Sequence, residues 1–256
     1  MAKTRRQTRT GYATSLLAAL CLTACAVADV EAQEAAVLPA AETVSTEQIV
    51  FGPDAPFASE IYSFFVEDEV FTPTACRTVF TGSSSIRFWM TLDDDFPDLE
   101  PLNRGFGGSQ ITDVIGYFDA LLTRHAPKEI VFYAGENDLN AGVGAAQTLE
   151  RFKAFMALKT DRLGDAPVYF LSAKPSIARL DELAEQTALN TMVQAYAEAR
   201  ADLIYVDIAS PMLEGGTPKP IFISDQLHMT LDGYAIWTDV LSGVLSDPDR
   251  PKREGC

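Results

Sequence analysis

Four short blocks of the chain carry the residue types that acyl chemistry needs. They are Gly82-Ser83-Ser84-Ser85, Asn103-Arg104-Gly105-Phe106-Gly107-Gly108, Gly135-Glu136-Asn137-Asp138 and Asp225-Gln226-Leu227-His228. Together they supply a hydroxyl, glycine backbone amides, a carboxamide and an Asp/His pair. Acyl transfer needs a serine beside a base, a carboxylate that orients the base, and N–H donors aimed at an oxyanion. His228 is one of only 2 histidines. Asp225, three residues before it, can reach its Nδ1 across a single turn, which leaves Nε2 to face Ser84. Each block alone also has a purely structural reading. The serines could cap a helix, the glycines could permit a tight turn, Asn137-Asp138 could form an Asx turn, and Asp225 could cap the helix that follows. Their coincidence in one chain favours the chemical reading.

These blocks need elements to hold them, and hydrophobic patterning supplies the elements. Thr78 to Thr81, a stretch near Pro101-Leu102, Glu129 to Tyr133, Val168 to Leu171 and Leu203 to Val206 are short β-branched or aromatic runs, as expected of strands buried on both faces. Ile111, Val114, Ile115, Phe118, Leu121 and Leu122 fall on one helical face, and 146–163 and 179–200 are also helix-like. A last helix is expected from about Leu231, with Ile236, Trp237, Val240, Leu241 and Val244 inward, and Phe57, Ile61, Phe64 and Phe65 mark a short helix at the start of the folded part. Strand and helix alternating at this spacing imply an α/β fold, a five-stranded parallel sheet with helices on both faces. Ligands of such sheets bind outside the carboxyl ends of the strands. All four blocks follow predicted strands.

At this point the chain resembles the SGNH, or GDSL-type, hydrolase family, which has a three-layer flavodoxin-like fold. The resemblance runs from about Thr78 to Leu245 with the signature blocks in family order, and includes G-S-S-S-I-R-x-W, N-R-G-F-G-G-S-Q and G-E-N-D-L. It implies Ser84 as nucleophile, His228 as base and Asp225 as its partner, with the Ser84 amide, Gly108 and Asn137 as the oxyanion hole. Thr230, Gly233 and Tyr234 resemble the family's following helix start. One departure is Ser83, where many members have Asp, but that position is outside the triad. The chain does not follow the α/β-hydrolase arrangement, in which the nucleophile sits in G-x-S-x-G and the acid lies far from the histidine. The resemblance implies a serine esterase acting on short acyl groups of a small molecule, lipid or glycan, with no cofactor. Acyl transfer to a sugar hydroxyl and a non-catalytic envelope binding lipoprotein on the same scaffold are the alternatives. No metal site is expected, because the two histidines are far apart and Cys76 and Cys256 lack ligand spacing. No phosphate-binding G-x-x-x-x-G-K-[ST] loop is present either.

Composition bounds the rest. With 256 residues, 47% hydrophobic and 10% aromatic, the chain can bury one sizeable core. A net charge of −16 argues against a nucleic-acid partner, which calls for clustered Lys and Arg. The N-terminus reads as an export signal: Lys3, Arg5, Arg6 and Arg9 precede an apolar stretch from Tyr12 to Ala24 that is too short to span a membrane. Leu22-Thr23-Ala24-Cys25 resembles a bacterial lipobox, which implies cleavage after residue 24, a lipid on Cys25 and membrane anchoring in the periplasm or at the outer membrane. An uncleaved anchor, or ordinary cleavage near Ala26 to Ala28 and secretion, is the alternative. Residues 25–56, rich in Ala and Glu, read as a tether, and 57–256 as the hydrolase domain. In an oxidising compartment Cys76 and Cys256 can pair, or can remain two free thiols.

Secondary positions carry expectations too. His125, before Ala126-Pro127, reads as surface, and Lys174, near the end of the fourth strand, as solvated or ion-paired. Phe88 and Trp89 read as core, and Arg87, Arg104 and Glu136 as a charge network beneath the site.

Overall fold

Short runs of β-branched and aromatic residues form the strands, and the apolar stripes between them form the covering helices. The computed structural model describes Gly52 and residues 54–256. The signal segment 1–24, Cys25 and most of the tether to residue 56 lie outside the described residues. In chain order the elements are α1 (Ala58–Phe71), β1 (Thr78–Gly82), α2 (Ser84–Arg87), α3 (Leu92–Asp95), β2 (Leu102–Gly105), α4 (Ile111–Gly116), α5 (Phe118–Leu121), β3 (Glu129–Tyr133), α6 (Glu136–Asn140), α7 (Ala145–Leu163) and β4 (Val168–Leu171). A 3₁₀ segment (Ile177–Glu182), α8 (Leu183–Glu198), β5 (Leu203–Val206), β6 (Leu213–Glu214), β7 (Thr217–Pro218) and α9 (Leu231–Leu245) complete the chain.

Five strands form one parallel sheet in the order β2-β1-β3-β4-β5. Side chains of a strand alternate between faces, and the two cores follow that alternation. Val79, Ile130, Phe132, Val168 and Phe170 face one core with α4, α5, α7 and α8. Phe80, Val131, Tyr133, Tyr169 and Leu171 face the other, with Trp89, Tyr234, Trp237 and Leu241. The chain therefore has the three-layer α/β fold expected of it. Its order reverses at β1, which lies between β2 and β3, and a sheet of this kind opens its ligand crevice at such a point.

Three elements differ from the sequence reading. The second strand is Leu102–Gly105, further along the chain than the stretch expected near Pro101-Leu102, because Arg104 is fully buried and paired with Asp68 and Glu67 of α1. The helix expected over 179–200 is a 3₁₀ segment and α8, with a kink at Arg179, whose φ of −132° and ψ of 36° are not helical. The face from Ile111 to Leu122 is two short helices, parted after Gly116.

The C-terminal segment straps the amino ends of the strands. Cys256 is disulfide-bonded to Cys76, two residues before β1. Arg253 N donates to the carbonyl of Lys128 at 2.8 Å, and Arg250 pairs with Glu129, the first residue of β3. Glu254 N donates to Asp165 at 2.8 Å, and Tyr169 Oη donates to the carbonyl of Pro251 at 3.0 Å.

Candidate active site

The site lies at the carboxyl ends of β1, β2 and β3. Gly82 ends β1 with φ 129°, and a Cβ there would stand 1.9 Å from the carbonyl oxygen of Tyr133, so only glycine allows the two strands this approach. The Ser83 amide donates to that same carbonyl at 2.9 Å, and the chain then turns into α2. Ser84 is thus the first residue of a helical turn, half-buried, with its hydroxyl on the rim. From below, Asn103 Nδ2 donates to the carbonyl of Ile86 at 2.8 Å and Tyr234 Oη to that of Ser85 at 2.9 Å.

Residues 221–230 fold back on themselves, with Ile223 N donating to His228 O at 2.8 Å and Thr230 N to Ile221 O at 2.9 Å. Inside that loop Asp225 Oδ1 accepts the amides of Leu227 and His228, each at 2.9 Å. Its Oδ2 lies 2.6 Å from His228 Nδ1, and His228 Nε2 lies 2.8 Å from Ser84 Oγ. Nδ1 carries the proton in the arrangement that satisfies Asp225, which leaves the Nε2 lone pair for the serine. Burial works to raise the Asp225 carboxyl, but the bond from His228 and the two amides outweigh it and bring it down to about 2. Phe88 and the imidazole pack edge to face with ring centres 4.8 Å apart, and the Arg87 guanidinium lies 4.4 Å over the Phe88 ring. Phe88 is 38% exposed, so the expectation that it belongs to the core is corrected: the neighbouring Trp89 fills the core, and Phe88 steadies the histidine at the surface.

Gly108 has φ 72°, a left-handed conformation that favours glycine, and a Cβ placed on it would meet no atom. Glu60 of α1 accepts the Gly107 amide at 2.9 Å and pairs with Arg87, and Ser109 Oγ donates to Gly82 O at 3.2 Å. Asn137 Nδ2 donates to the carbonyl of Ser109 at 2.9 Å, which sets the carboxamide beside this loop. The amide of Ser84 starts a helix and so lacks an intrahelical acceptor. Among the described residues, neither it nor the Gly108 amide donates to a protein acceptor. Asp138 is structural: it accepts the Ile111 amide at 3.1 Å and pairs with Arg151 at 2.7 Å.

The sequence reading placed Arg87, Arg104 and Glu136 in one network, and here it is corrected. Each has its own partners: Arg87 has Glu60, Arg104 has Asp68 and Glu67, and Glu136 has Lys174 and Arg179. Lys174 is ion-paired but not solvated, being 1% exposed. His125 is no surface residue either: it is 4% exposed and 3.7 Å from Asp68. Burial and then the nearby Arg104 charge push its imidazole down to about 4, against the pull of Asp68. Arg179, inside the predicted helix, gave no sequence signal of its role. Nor did Tyr133, whose hydroxyl donates to Glu136.

A sequence profile of the GDSL-like lipase/acylhydrolase family matches residues 79–236. The chain belongs to that family. GDSL-like acylhydrolases are ester-bond hydrolases, and the four blocks lie within the matched span. Solved structures show the same fold. A GDSL-like lipase from Bacteroides thetaiotaomicron has a TM-score of 0.62 at 22% identity, covering 73% of this chain and 98% of that one. A Streptococcus pneumoniae protein described as a platelet activating factor has a TM-score of 0.65 at 20% identity, covering 73% and 92%. A Bacteroides fragilis protein described as an acylhydrolase has 0.60 at 21%, covering 71% and 94%. No curated protein matches the chain. Among the described residues, no group of three or more His, Cys, Asp or Glu side chains could hold a metal ion.

Proposed function

We propose that this GDSL-like acylhydrolase is an exported serine esterase that cleaves short-chain acyl esters through Ser84, His228 and Asp225. The observation that carries the reading is the continuous chain of contacts from Ser84 Oγ to His228 Nε2 at 2.8 Å and from His228 Nδ1 to Asp225 at 2.6 Å. His228 takes the Ser84 proton as Oγ attacks the ester carbonyl. The Ser84 amide, the Gly108 amide and Asn137 Nδ2 hold the tetrahedral oxyanion. His228 then protonates the leaving alcohol, and water repeats the cycle on the acyl-enzyme. Asp225 keeps the imidazole in the required tautomer and stabilises its charged form.

The catalytic pair reaches the surface. The His228 side chain is 18% exposed and that of Asp225 43%, which suits a bulky alcohol, lipid or glycan held outside while a small acyl group enters. Export rests on the basic and apolar N-terminal segment, and anchoring on Cys25 in its lipobox-like setting. That would place the enzyme in the periplasm or at the outer membrane.

The test is hydrolysis of p-nitrophenyl acetate, butyrate and decanoate by wild type and Ser84→Ala, with fluorophosphonate labelling. Turnover and label lost in the variant, with acetate or butyrate preferred, are expected. Folded wild type that neither exceeds the variant nor takes the label would end the serine mechanism. A preference for decanoate would end the short-acyl assignment alone.

A further inference from the structure

The Asn137 carboxamide has two ends that differ chemically, and only one can stabilise an oxyanion. Its Nδ2 has two hydrogens, one of which is taken by the carbonyl of Ser109 at 2.9 Å. Its Oδ1 accepts from Arg179 Nη2 at 2.9 Å. Were the amide turned over, NH₂ would face a guanidinium that can only donate. A cation on the carbonyl end also draws electrons from the amide and strengthens Nδ2 as a donor.

The protein holds Arg179 in place with some care. It is 9% exposed, although Ile177 and Leu180 beside it are 37% and 48% exposed. Its non-helical backbone breaks the 3₁₀ segment, and this lone inward residue reaches Asn137. Nη1 lies 3.2 Å from Glu136, which accepts Lys174 at 2.8 and 3.1 Å and the Tyr133 hydroxyl. Burial works to raise the Glu136 carboxyl, but the Lys174 and Arg179 charges outweigh it and hold it below the usual range, so it stays an anion between two cations. The same segment reaches the acid loop, with Ala178 N donating to Gln226 O at 3.0 Å.

We propose that Arg179, braced by Glu136 and Lys174, is a positioning residue that fixes the Asn137 carboxamide with its N–H toward the oxyanion. The proposal rests on the esterase reading of the site. It gives the buried cluster a task in the reaction although none of its charges touches the ester.

A double-mutant cycle tests it, using p-nitrophenyl butyrate with wild type, Arg179→Met, Asn137→Ala and the double variant, each normalised to folded protein by thermal melting. Removal of an oxyanion donor costs roughly 10² to 10³ in kcat. If Arg179 acts through that donor, Arg179→Met lowers kcat by about 10- to 100-fold with KM within about threefold. In the Asn137→Ala background it then costs less than about threefold. Arg179→Lys keeps the charge without the fork and should recover part of the loss. It also carries the cycle if the Met variant does not fold. Equal fold-losses in both backgrounds, or an unchanged kcat in the single variant, would overturn the proposal. The Ser84→Ala control separates the two readings. Turnover that persists without Ser84 removes the esterase reading and this inference with it, whereas Ser84-dependent turnover indifferent to Arg179 removes the inference alone.

Discussion

The C-terminal strap makes a quantitative prediction. Replacing both bridge residues, Cys76→Ser with Cys256→Ser, frees a segment closed across a sequence separation of 180. A crosslink of that span lowers the entropy of the unfolded chain by an amount worth about 5 kcal/mol at 25 °C on the loop-closure relation. The native tail has other holds, among them the Arg250–Glu129 pair at 2.9 Å and the Glu254 and Arg253 backbone bonds. The native state therefore changes little, and most of the effect falls on the unfolded chain. Against a typical stability of about 5–15 kcal/mol, the loss should be large. Urea unfolding at 25 °C and neutral pH, followed by tryptophan fluorescence, should show a loss of about 3–5 kcal/mol. Turnover of the folded variant should be unchanged, because the bridge lies at the amino ends of the strands and Ser84 at the carboxyl ends. A loss below about 1 kcal/mol would show that the tail is not constrained by the bond. A fall in kcat at full folding would refute the assignment of bridge and site to opposite ends of the sheet.

Two further predictions concern pH. Asp225, brought down to about 2, stays ionised through the acid range, so the acid limb of kcat/KM between about pH 3 and 5 should fall with a slope of one. A slope of two would show that the Asp225 carboxylate takes up a proton within that range. His125, pushed down to about 4, remains neutral in the native state where the unfolded imidazole, near ~6.5, is protonated. The unfolded chain then binds more protons between those values, so this contribution is complete above about pH 6.5 and is lost as pH falls toward 4, about 2 kcal/mol of it by pH 5. Urea midpoints of wild type and His125→Gln at pH 7.5 and 5.0 should therefore converge on acidification, and parallel behaviour would count against a buried neutral histidine.

What was legible in the sequence was what is local. β1, β3, β4 and β5 are dense apolar runs that need no partner to be recognised, and α9 begins at Leu231 where its stripe begins. Gly82-Ser83-Ser84-Ser85 and Gly135-Glu136-Asn137-Asp138 sit where such runs end, whereas Asn103 to Gly105 lie within β2, and Asp225 reaches His228 within one turn. What escaped depends on partners distant in the chain. Arg104 made β2 look too polar, because its neutralisation comes from Asp68, 36 residues away. His125 looked exposed because nothing nearby in sequence announces that Arg104 and Asp68 enclose it. Arg179 lay within a helical pattern, and its inward turn is set by Asn137 and Glu136, which are 42 and 43 residues earlier. The β6–β7 hairpin does carry a local sign: Gly215-Gly216, with φ 58° and 82°, is the dipeptide a tight hairpin turn favours.

The two ends of the domain lie at opposite ends of the sheet, and that gives the molecule a direction. Phe57 packs on Phe106 at 5.1 Å and Glu60 holds Gly107, so the chain joins the domain beside the mouth of the site, while Cys256 is pinned beneath the sheet. Phe57 and α1 therefore meet the domain on the side of the glycine loop that carries Gly108. A tag, bead or second enzyme joined after Cys256 leaves the mouth clear. For immobilisation or display, the carboxyl terminus is the handle on the side of the sheet away from Ser84.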